Sequence, residues 1–184
     1  MPKPGMDTML VSEPGMIPVI DAAQFRSLMS SFPTGVAVVT TTEPGGRPWG
    51  MTCSTVCSVA VDPPTLLVCL RENSPTLQAM LTVSMFAVNL LHEEGRDTAQ
   101  LFASGAPDRF DQVRWRNEPS YGGPHLTDVA HAVVDCRIVR TVRVGDHVVV
   151  FGEVLDLVQE AAANPLLYGF RRYSSWSTVS SSAA

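Results

Sequence analysis

The chain has 184 residues, of which 45% are hydrophobic, and its formal net charge is −5 at neutral pH. This size and composition predict one soluble domain with a sizeable core. Because lysine and arginine form no cluster, the charge pattern argues against nucleic acid or an anionic membrane as the main partner.

The start of the chain predicts neither export nor membrane insertion. Residues 1–20 are interrupted by prolines and glycines, so they lack the continuous apolar region of a signal peptide. No later run of about 18 apolar residues could cross a membrane. We therefore expect a cytoplasmic protein with a flexible arm over residues 1–20, a folded domain over 21–175 and a disordered tail over 176–184.

The first predicted helix begins at Asp21, a suitable N-cap, and ends before Pro33. Its apolar residues recur at the i, i+3, i+4 and i+7 positions of one helix face. They are Phe25, Leu28, Met29 and Phe32. This spacing predicts a short amphipathic helix.

Short runs rich in β-branched residues predict most of the remaining structure. The first four runs are VAVVTTT, PWGMTC, TVCSVAV and TLLVCLR, and a Gly-Gly turn joins the first two as a hairpin. Further strands are expected over MFAVNLL, over VVDCRIVRTVRV with its alternating apolar residues, and over HVVVFGEVLDLV as a central strand. About seven strands with two or three peripheral helices predict a mainly β fold, an antiparallel sandwich or barrel. No GxGxxG motif or strand–helix alternation supports a doubly wound fold.

Two helices and one long loop interrupt the strands. Ser74 is a good N-cap and Pro75 suits the first position of a helix. Residues 93–104 also look helical. Residues 106–127 are rich in prolines and glycines and predict a long ordered loop, and loops of that length in compact domains are often functional.

The four cysteines show no metal or disulfide pattern. They are Cys53, Cys57, Cys69 and Cys136, and no two of them form a C-x-x-C pair. Each lies in an apolar or small-residue run. We expect reduced, mostly buried thiols without a metal.

Two polar segments are candidates for binding a ligand. Asn73-Ser74-Pro75-Thr76 opens a helix, where free N–H groups and the helix dipole favour a phosphate, although Ser74 could serve only as an N-cap. The run Met51–Thr55 offers small hydroxyl and thiol groups to the polar edge of a heterocycle. It could equally be an ordinary β-rich stretch.

Two further candidates lie towards the end of the chain. His147, in a Gly-Asp-His turn, could contact a ligand or transfer a proton, or could simply be solvated. Tyr168, Arg172 and Tyr173 could stack on and clamp a dinucleotide, or could form a packed terminal strand. No nucleophile motif or convincing acid–base pair is present, so a cofactor is expected to carry any difficult chemistry.

Taken together and in order, these segments resemble the short-chain flavin reductases of two-component monooxygenases, within the FMN-binding split-barrel group. The resemblance runs from about Phe25 to Tyr173. It rests on FPTGVAVVTT, GMTCSTVCSVAVDPPTLLVCL, NSPT, FAVNLL, the Arg109-Phe110 pair, GDHVVVFGEV and LLYGFRRY. The resemblance implies a Greek-key split β-barrel, a homodimer, and a flavin bound in a groove near the subunit interface.

The resemblance also implies roles for individual residues. The residues expected to line the isoalloxazine and ribityl chain are Thr52, Cys53, Ser54 and Thr55, with Cys53 standing where relatives often carry alanine or serine. Cys69 and Leu70 are expected to pass their backbone against the flavin, and Asn89, Ala103 and Phe110 are expected to lie near it. Those expected at its phosphate are Asn73, Ser74 and Thr76, with Arg109 approaching the phosphate or the nucleotide end. Those expected on the nicotinamide side are His147, Tyr168, Arg172 and Tyr173.

The implied activity is hydride transfer to FAD or FMN from NADH, with NADPH as the alternative donor. The reduced flavin would then serve a partner monooxygenase. His147 would position the nicotinamide. Hydroxyls and amides rather than an arginine cluster would grip the phosphate. The lack of such a cluster in the sequence favours NADH over NADPH. An oxidase with tightly held FMN and a non-catalytic flavin-binding module remain alternatives on the same barrel.

Overall fold

A computed structural model describes residues 20–118, 120, 122–159 and 163–176. Within these residues the protein is mainly β with three α-helices, which confirms the predicted fold class. The predicted arm, apart from Ile20, and the predicted tail, apart from Trp176, lie outside the described residues.

The strands form two antiparallel sheets. In chain order they are β1 (Thr34–Gly35), β2 (Ala37–Thr42), β3 (Pro48–Cys53), β4 (Val56–Val61), β5 (Pro64–Arg71), β6 (Met85–Leu91), β7 (Ala130–Val144), β8 (His147–Gln159), β9 (Leu166–Gly169) and β10 (Arg172–Ser175). The larger sheet has the order β3-β2-β6-β7-β8-β5-β4, and the smaller has the order β1-β9-β10. The predicted hairpin pairs β2 with β3, and this leaves β3 as an edge strand with one side unpaired.

Capping residues set the limits of the helices. They are α1 (Ala22–Ser30), α2 (Pro75–Val83) and α3 (Arg96–Ser104), and a 3₁₀ turn at Glu93–Gly95 precedes α3. Asp21 and Gln24 form a capping box on α1, and Ser74 caps α2. Both caps were predicted, and each stabilises its helix by about 1 kcal/mol.

The apolar face of α1 is not covered by the described part of the chain. Phe25, Leu28, Met29 and Phe32 are between 46% and 63% exposed, and Phe32 lies beyond the end of the helix. The sequence spacing therefore predicts the helix correctly. A face of this kind is unusual on an isolated soluble domain.

Two large apolar clusters form most of the core of the described part of the chain. One lies between α2 and the larger sheet and is centred on Val68, Leu77, Met80, Phe86 and Val150. The other lies beneath α3 and the smaller sheet and is centred on Leu91, Phe102, Phe110, Leu126 and Leu166. Burying each such side chain stabilises the fold by about 1.5–3 kcal/mol.

The long loop before β7 is held down by buried polar contacts. The Asp135 carboxylate accepts a hydrogen bond from the backbone N–H of Gly122 at 2.6 Å, and its other oxygen lies 2.9 Å from Nε2 of His125. A Cβ atom at Gly122 would overlap the backbone carbonyl of Phe86, so only glycine fits there. The described residues of this segment are therefore ordered, as predicted.

The alternation predicted for the long strand β7 is interrupted. Its pairing with β8 shifts between Asp135 and Cys136 and again between Ile138 and Arg140. The first shift leaves Leu155 of β8 unpaired and the second leaves Val139 of β7 unpaired. Only the second therefore moves the following side chains of β7 to the other face. Val144, predicted on the apolar face, is consequently 60% exposed.

The expectation of mostly buried thiols holds for Cys53 and Cys136, whereas Cys69 is only half-buried. It is wrong for Cys57, which is exposed. The reason is that β4 is the other edge strand of the larger sheet, and most of its side chains remain uncovered.

Candidate functional site

A pocket of about 500 Å³ lies along edge strand β3, between the start of α2 and the end of α3. Its lining comes from residues 47–52, 71, 73–76, 102, 103, 105, 107, 109 and 110. The pocket brings together seven of the predicted site residues. They are Thr52, Asn73, Ser74, Thr76, Ala103, Arg109 and Phe110.

The N-terminus of α2 forms one wall of this pocket. Ser74 Oγ accepts a hydrogen bond from the backbone N–H of Leu77 at 3.5 Å. The same hydroxyl donates to Met51 Sδ at 3.2 Å, which fixes the helix start beside β3. Thr76 is buried and Asn73 is exposed. This wall presents a helix N-terminus and two hydroxyl groups, which suit an anion.

Three arginines that are distant in sequence line the same pocket. They are Arg47, Arg71 and Arg109, and no aspartate or glutamate is among the lining residues. The sequence did not indicate this grouping, because it is created by folding and not by a run of basic residues. The expectation that hydroxyls and amides grip the phosphate stays a prediction.

Arg109 belongs to the wall of the pocket. Its Nε donates to the carbonyl oxygen of Gly50 at 2.9 Å and its Nη1 donates to that of Ala106 at 2.7 Å. Burial, and then the charge of Arg47, lower the pKa of Arg109. Two of its five N–H donors are directed to backbone carbonyls, and the side chain ties the loop after α3 to β3.

The aromatic floor of the pocket explains why Gly50 is required. A Cβ atom there would lie 2.9 Å from Cε1 of Phe102 and 3.1 Å from Cζ of Phe110. The two rings meet edge to face, with centroids 5.0 Å apart. Phe110 in turn contacts Trp115, with centroids 5.7 Å apart. The predicted Phe110 is thus part of a rigid apolar support.

The predicted run of hydroxyl and thiol groups divides between two sides of the molecule. Thr52 lines the pocket, and its hydroxyl donates to the carbonyl of Ala99 at 2.6 Å. Cys53 points into the core, where burial raises the pKa of its thiol to about 11. Thr55 is exposed. Ser54 lines a second pocket instead.

That second pocket has a volume of about 470 Å³ and lies beside the smaller sheet. Ser54 and His131 supply polar groups to a lining that is otherwise largely apolar. Burial, and then the charge of His92, lower the pKa of His131. Sequence reasoning did not single out His131, since it stands alone without a metal-ligand spacing.

Asn89, which the resemblance places near the flavin, is held by protein groups. It is fully buried, its amide nitrogen donates to the carbonyl of Val38 at 3.1 Å, and its amide oxygen accepts from the N–H of Leu126 at 2.7 Å. Leu70 is likewise buried in the core, and neither Cys69 nor Asn89 lines the pocket along β3. The roles expected for these residues, for Cys69 and Leu70 through the backbone, stay predictions.

His147 lies near the rim of the pocket. It pairs with Arg71 in the β5–β8 register, and Arg71 lines the pocket. Nδ1 of His147 lies 2.7 Å from Oδ1 of Asp146, and this hydrogen bond lowers the pKa of the Asp146 carboxyl. His147 itself does not line the pocket, and its side chain is 43% exposed.

The residues predicted to clamp a dinucleotide lie away from the pocket along β3, and their role there stays a prediction. Tyr168 on β9 and Tyr173 on β10 have ring centroids 5.0 Å apart. The guanidinium carbon of Arg96 lies 5.9 Å from the ring centroid of Tyr173. Arg172 is exposed on the same hairpin. The group packs around α3 and not against the start of α2.

Among the lining residues that sequence reasoning did not single out are Arg47, Trp49 and Arg71. For Arg47 and Trp49 the nearest signal was their position just before the Met51–Thr55 run, because residues along one edge strand share the space next to it. No such signal marked Arg71, which lies on β5. Among the described residues, no group of histidine, cysteine or acidic side chains could hold a metal ion. Over the same residues, no helix is long and apolar enough to span a membrane.

Comparison with known proteins gives consistent results. A family described as flavin reductase like domain matches residues 29–177. A flavin reductase (NADPH) of Lentzea aerocolonigenes is 48% identical over 157 residues, which are 85% of this chain and 91% of that protein.

Solved structures agree with the sequence comparison. An NADH:FAD oxidoreductase of Streptomyces globisporus C-1027, in complex with NAD and FAD fragments, superposes with a TM-score of 0.78 at 32% identity, covering 84% of this chain and 92% of that one. The styrene monooxygenase flavin reductase of Pseudomonas putida S12 gives 0.74 at 28% identity, covering 82% and 96%. The predicted split-barrel fold is confirmed.

Proposed function

The chain belongs to the family of flavin reductase-like domains, and from this we propose that it transfers a hydride from NADH or NADPH to FMN or FAD. The observation that carries the proposal is the composition of the pocket along β3. That pocket joins a helix start, hydroxyl groups and three arginines, and it has no aspartate or glutamate in its lining. An anionic, planar ligand fits such a site.

The phosphate of the flavin would be held at the start of α2. Asn73, Ser74 and Thr76 lie there, and the positive end of the α2 dipole favours an anion at the same place. Arg71 adds a positive charge to that end of the pocket. This arrangement supports the phosphate role expected for these three residues.

The ring system would lie along β3 near Thr52. Gly50 directs its carbonyl oxygen away from β2 to Arg109, and Thr52, two residues further, presents its backbone N–H and C=O on the same side. The Thr52 hydroxyl gives its proton to Ala99, so it can only accept a hydrogen bond from a ligand. This polar strand edge suits the polar edge of an isoalloxazine.

The reaction needs little from side chains. The nicotinamide supplies a hydride and the isoalloxazine accepts it, so no protein acid or base is required. The chain's contribution is to hold two rings in contact and to exclude water. The packed wall of Phe102 and Phe110 and the fixed edge of β3 provide that rigidity. Positive charge in the pocket stabilises the negative charge that develops on the flavin.

The nicotinamide nucleotide would enter from the side of His147. This residue adjoins Arg71 across the β5–β8 pairing and is partly open to solvent. We assign it to positioning and not to proton transfer. Relatives named for NADH and for NADPH both occur, and the three arginines of the pocket are compatible with either.

The flavin would be a passing substrate that serves a partner oxygenase. The similarity to the styrene monooxygenase flavin reductase supports this role. The chain would act as a homodimer, since α1 exposes Phe25 and Leu28, which are 52% and 62% exposed. Light scattering should give twice the chain mass, and Leu28→Glu should give a monomer. A wild-type monomer would overturn the dimer.

The activity is tested by following oxidation of NADH and of NADPH with and without added FMN or FAD. The proposal predicts sustained oxidation that depends on free flavin. An enzyme isolated with tightly held FMN that shows no such dependence would be an oxidase. Flavin binding without turnover would indicate a binding module.

A further inference from the structure

We propose that Arg47 and Trp49 form a subsite for the adenosine phosphate half of FAD, so that this chain prefers FAD to FMN. The inference rests on the flavin-reductase function proposed above. The two residues are termed the Arg47–Trp49 ledge.

The order of groups along β3 sets the direction of a bound flavin. Met51 Sδ lies 3.2 Å from Ser74 Oγ, so the start of α2 lies beside Met51 of β3. Along β3, Thr52 follows Met51 and Trp49 precedes it. A flavin with its ring near Thr52 and its phosphate at the start of α2 therefore directs any further group towards the ledge.

The distances suit the missing half of FAD. A strand rises about 3.3 Å per residue, so Trp49 lies roughly 7 Å along β3 from Met51. FMN ends at its phosphate and would leave the ledge empty. FAD continues through a second phosphate to ribose and adenine, and these groups would reach Arg47 and Trp49.

Arg47 is suited to a second phosphate. Its guanidinium carbon lies 4.2 Å from the ring centroid of Trp49, and none of the salt bridges found among the described residues includes it. Arg109 already donates to two carbonyls, and Arg71 lies at the start of α2. Of the three arginines that line the pocket, Arg47 therefore lies at the Trp49 end of β3, which FMN does not reach.

Trp49 is suited to adenine. Its indole Nε1 donates to Glu43 at 2.9 Å, which fixes the orientation of the ring. A shallow groove of about 300 Å³ continues beyond Trp49, bordered by Pro75 and Gln78. Trp49 and Pro75 line both the groove and the main pocket, so the two spaces are adjacent. A purine can stack on an indole or on a guanidinium.

The experiment compares KM for FAD with KM for FMN in the full-length protein. Arg47→Gln and Trp49→Leu should each raise the ratio of KM for FAD to KM for FMN about tenfold, in line with the loss of one stacking or phosphate contact. Trp49→Phe should restore most of the preference because it keeps an aromatic face. Arg114→Gln is the matched control, since Arg114 is 87% exposed and lies outside the pocket.

Calorimetric titration with oxidised FAD and with FMN provides a second readout that does not require turnover. A selective loss of FAD affinity in both variants supports the ledge. An unchanged ratio in variants that still reduce FMN overturns it and leaves the reductase function intact. A rise in KM for NADPH without a change in the ratio of KM for FAD to KM for FMN also overturns it, because Arg47 would then bind the nicotinamide nucleotide and not FAD. Failure of the wild-type protein to reduce either flavin overturns both proposals.

Discussion

The Nε of Arg109 donates a hydrogen bond to the backbone carbonyl of Gly50 at 2.9 Å. This bond joins the loop after α3 to the free edge of β3, which otherwise would present an unpaired carbonyl. It also shows that Gly50 directs its carbonyl oxygen away from β2, so Thr52, two residues later, directs its backbone N–H and C=O the same way. The shape of the pocket therefore depends on a contact between two residues that sequence reasoning treated separately.

Gly50→Ala should lower the free energy of unfolding by about 1–3 kcal/mol, since the new methyl group crowds the packed rings of Phe102 and Phe110. Urea unfolding measures the change. Gly45→Ala is the matched control, because a Cβ atom at that turn position meets nothing within 4 Å. Equal stability of the two variants would show that the floor of the pocket is loosely packed.

Ser74→Ala should raise KM for both flavins about tenfold and lower stability by about 1 kcal/mol, since it removes a helix cap and a phosphate contact together. Asp21→Ala removes the cap of α1 at a similar cost in stability. Steady-state kinetics should separate the two, with the KM effect confined to Ser74→Ala. A parallel rise in both variants would assign Ser74 to helix capping alone.

Asn89→Leu should destabilise the protein by about 1–3 kcal/mol, because the N–H of Leu126 and buried carbonyls lose their partner. The protein that still folds should bind flavin with an unchanged affinity, since Asn89 does not line the pocket along β3. Thermal unfolding and flavin titration measure the two effects. A selective loss of flavin affinity in a variant with wild-type stability would show that Asn89 contacts the flavin.

Thiol reactivity should follow burial. Cys57 is exposed and should be alkylated first at pH 8. Burial raises the pKa of the Cys53 thiol to about 11 and that of Cys136 to about 12, so both remain neutral and protected at that pH. Mass spectrometry of peptides after brief labelling identifies the modified residue, with Cys57→Ser as the blank. Early labelling of Cys53 would indicate that β3 opens readily.

Local signals in the sequence located the parts of the site that local structure creates. Ser74 followed by Pro75 predicts a helix start, and the polar run around Thr52 predicts a strand with ligand-binding groups; the structure places both on one pocket. The order of these motifs, and not any one of them, supported the fold.

Contacts between distant segments could not be read from the sequence. Arg47, Arg71 and Arg109 come together only because β3, β5 and the loop after α3 meet in the folded chain. The sequence around Asn89 is the same whether its side chain contacts a ligand or supports a loop, and only the structure shows that it bonds to Val38 and Leu126. The bulges of β7 carry no sequence mark that separates them from regular alternation.

Hydride transfer to a flavin can be measured by anaerobic mixing of the purified protein with excess NADH or NADPH and free FAD or FMN. We expect loss of oxidised-flavin absorbance with one nicotinamide oxidised per flavin, at a rate proportional to protein concentration. Ser74→Ala should slow this reaction at low flavin concentration. If neither nicotinamide nucleotide reduces either flavin in a protein-dependent way, the chain is not a flavin reductase.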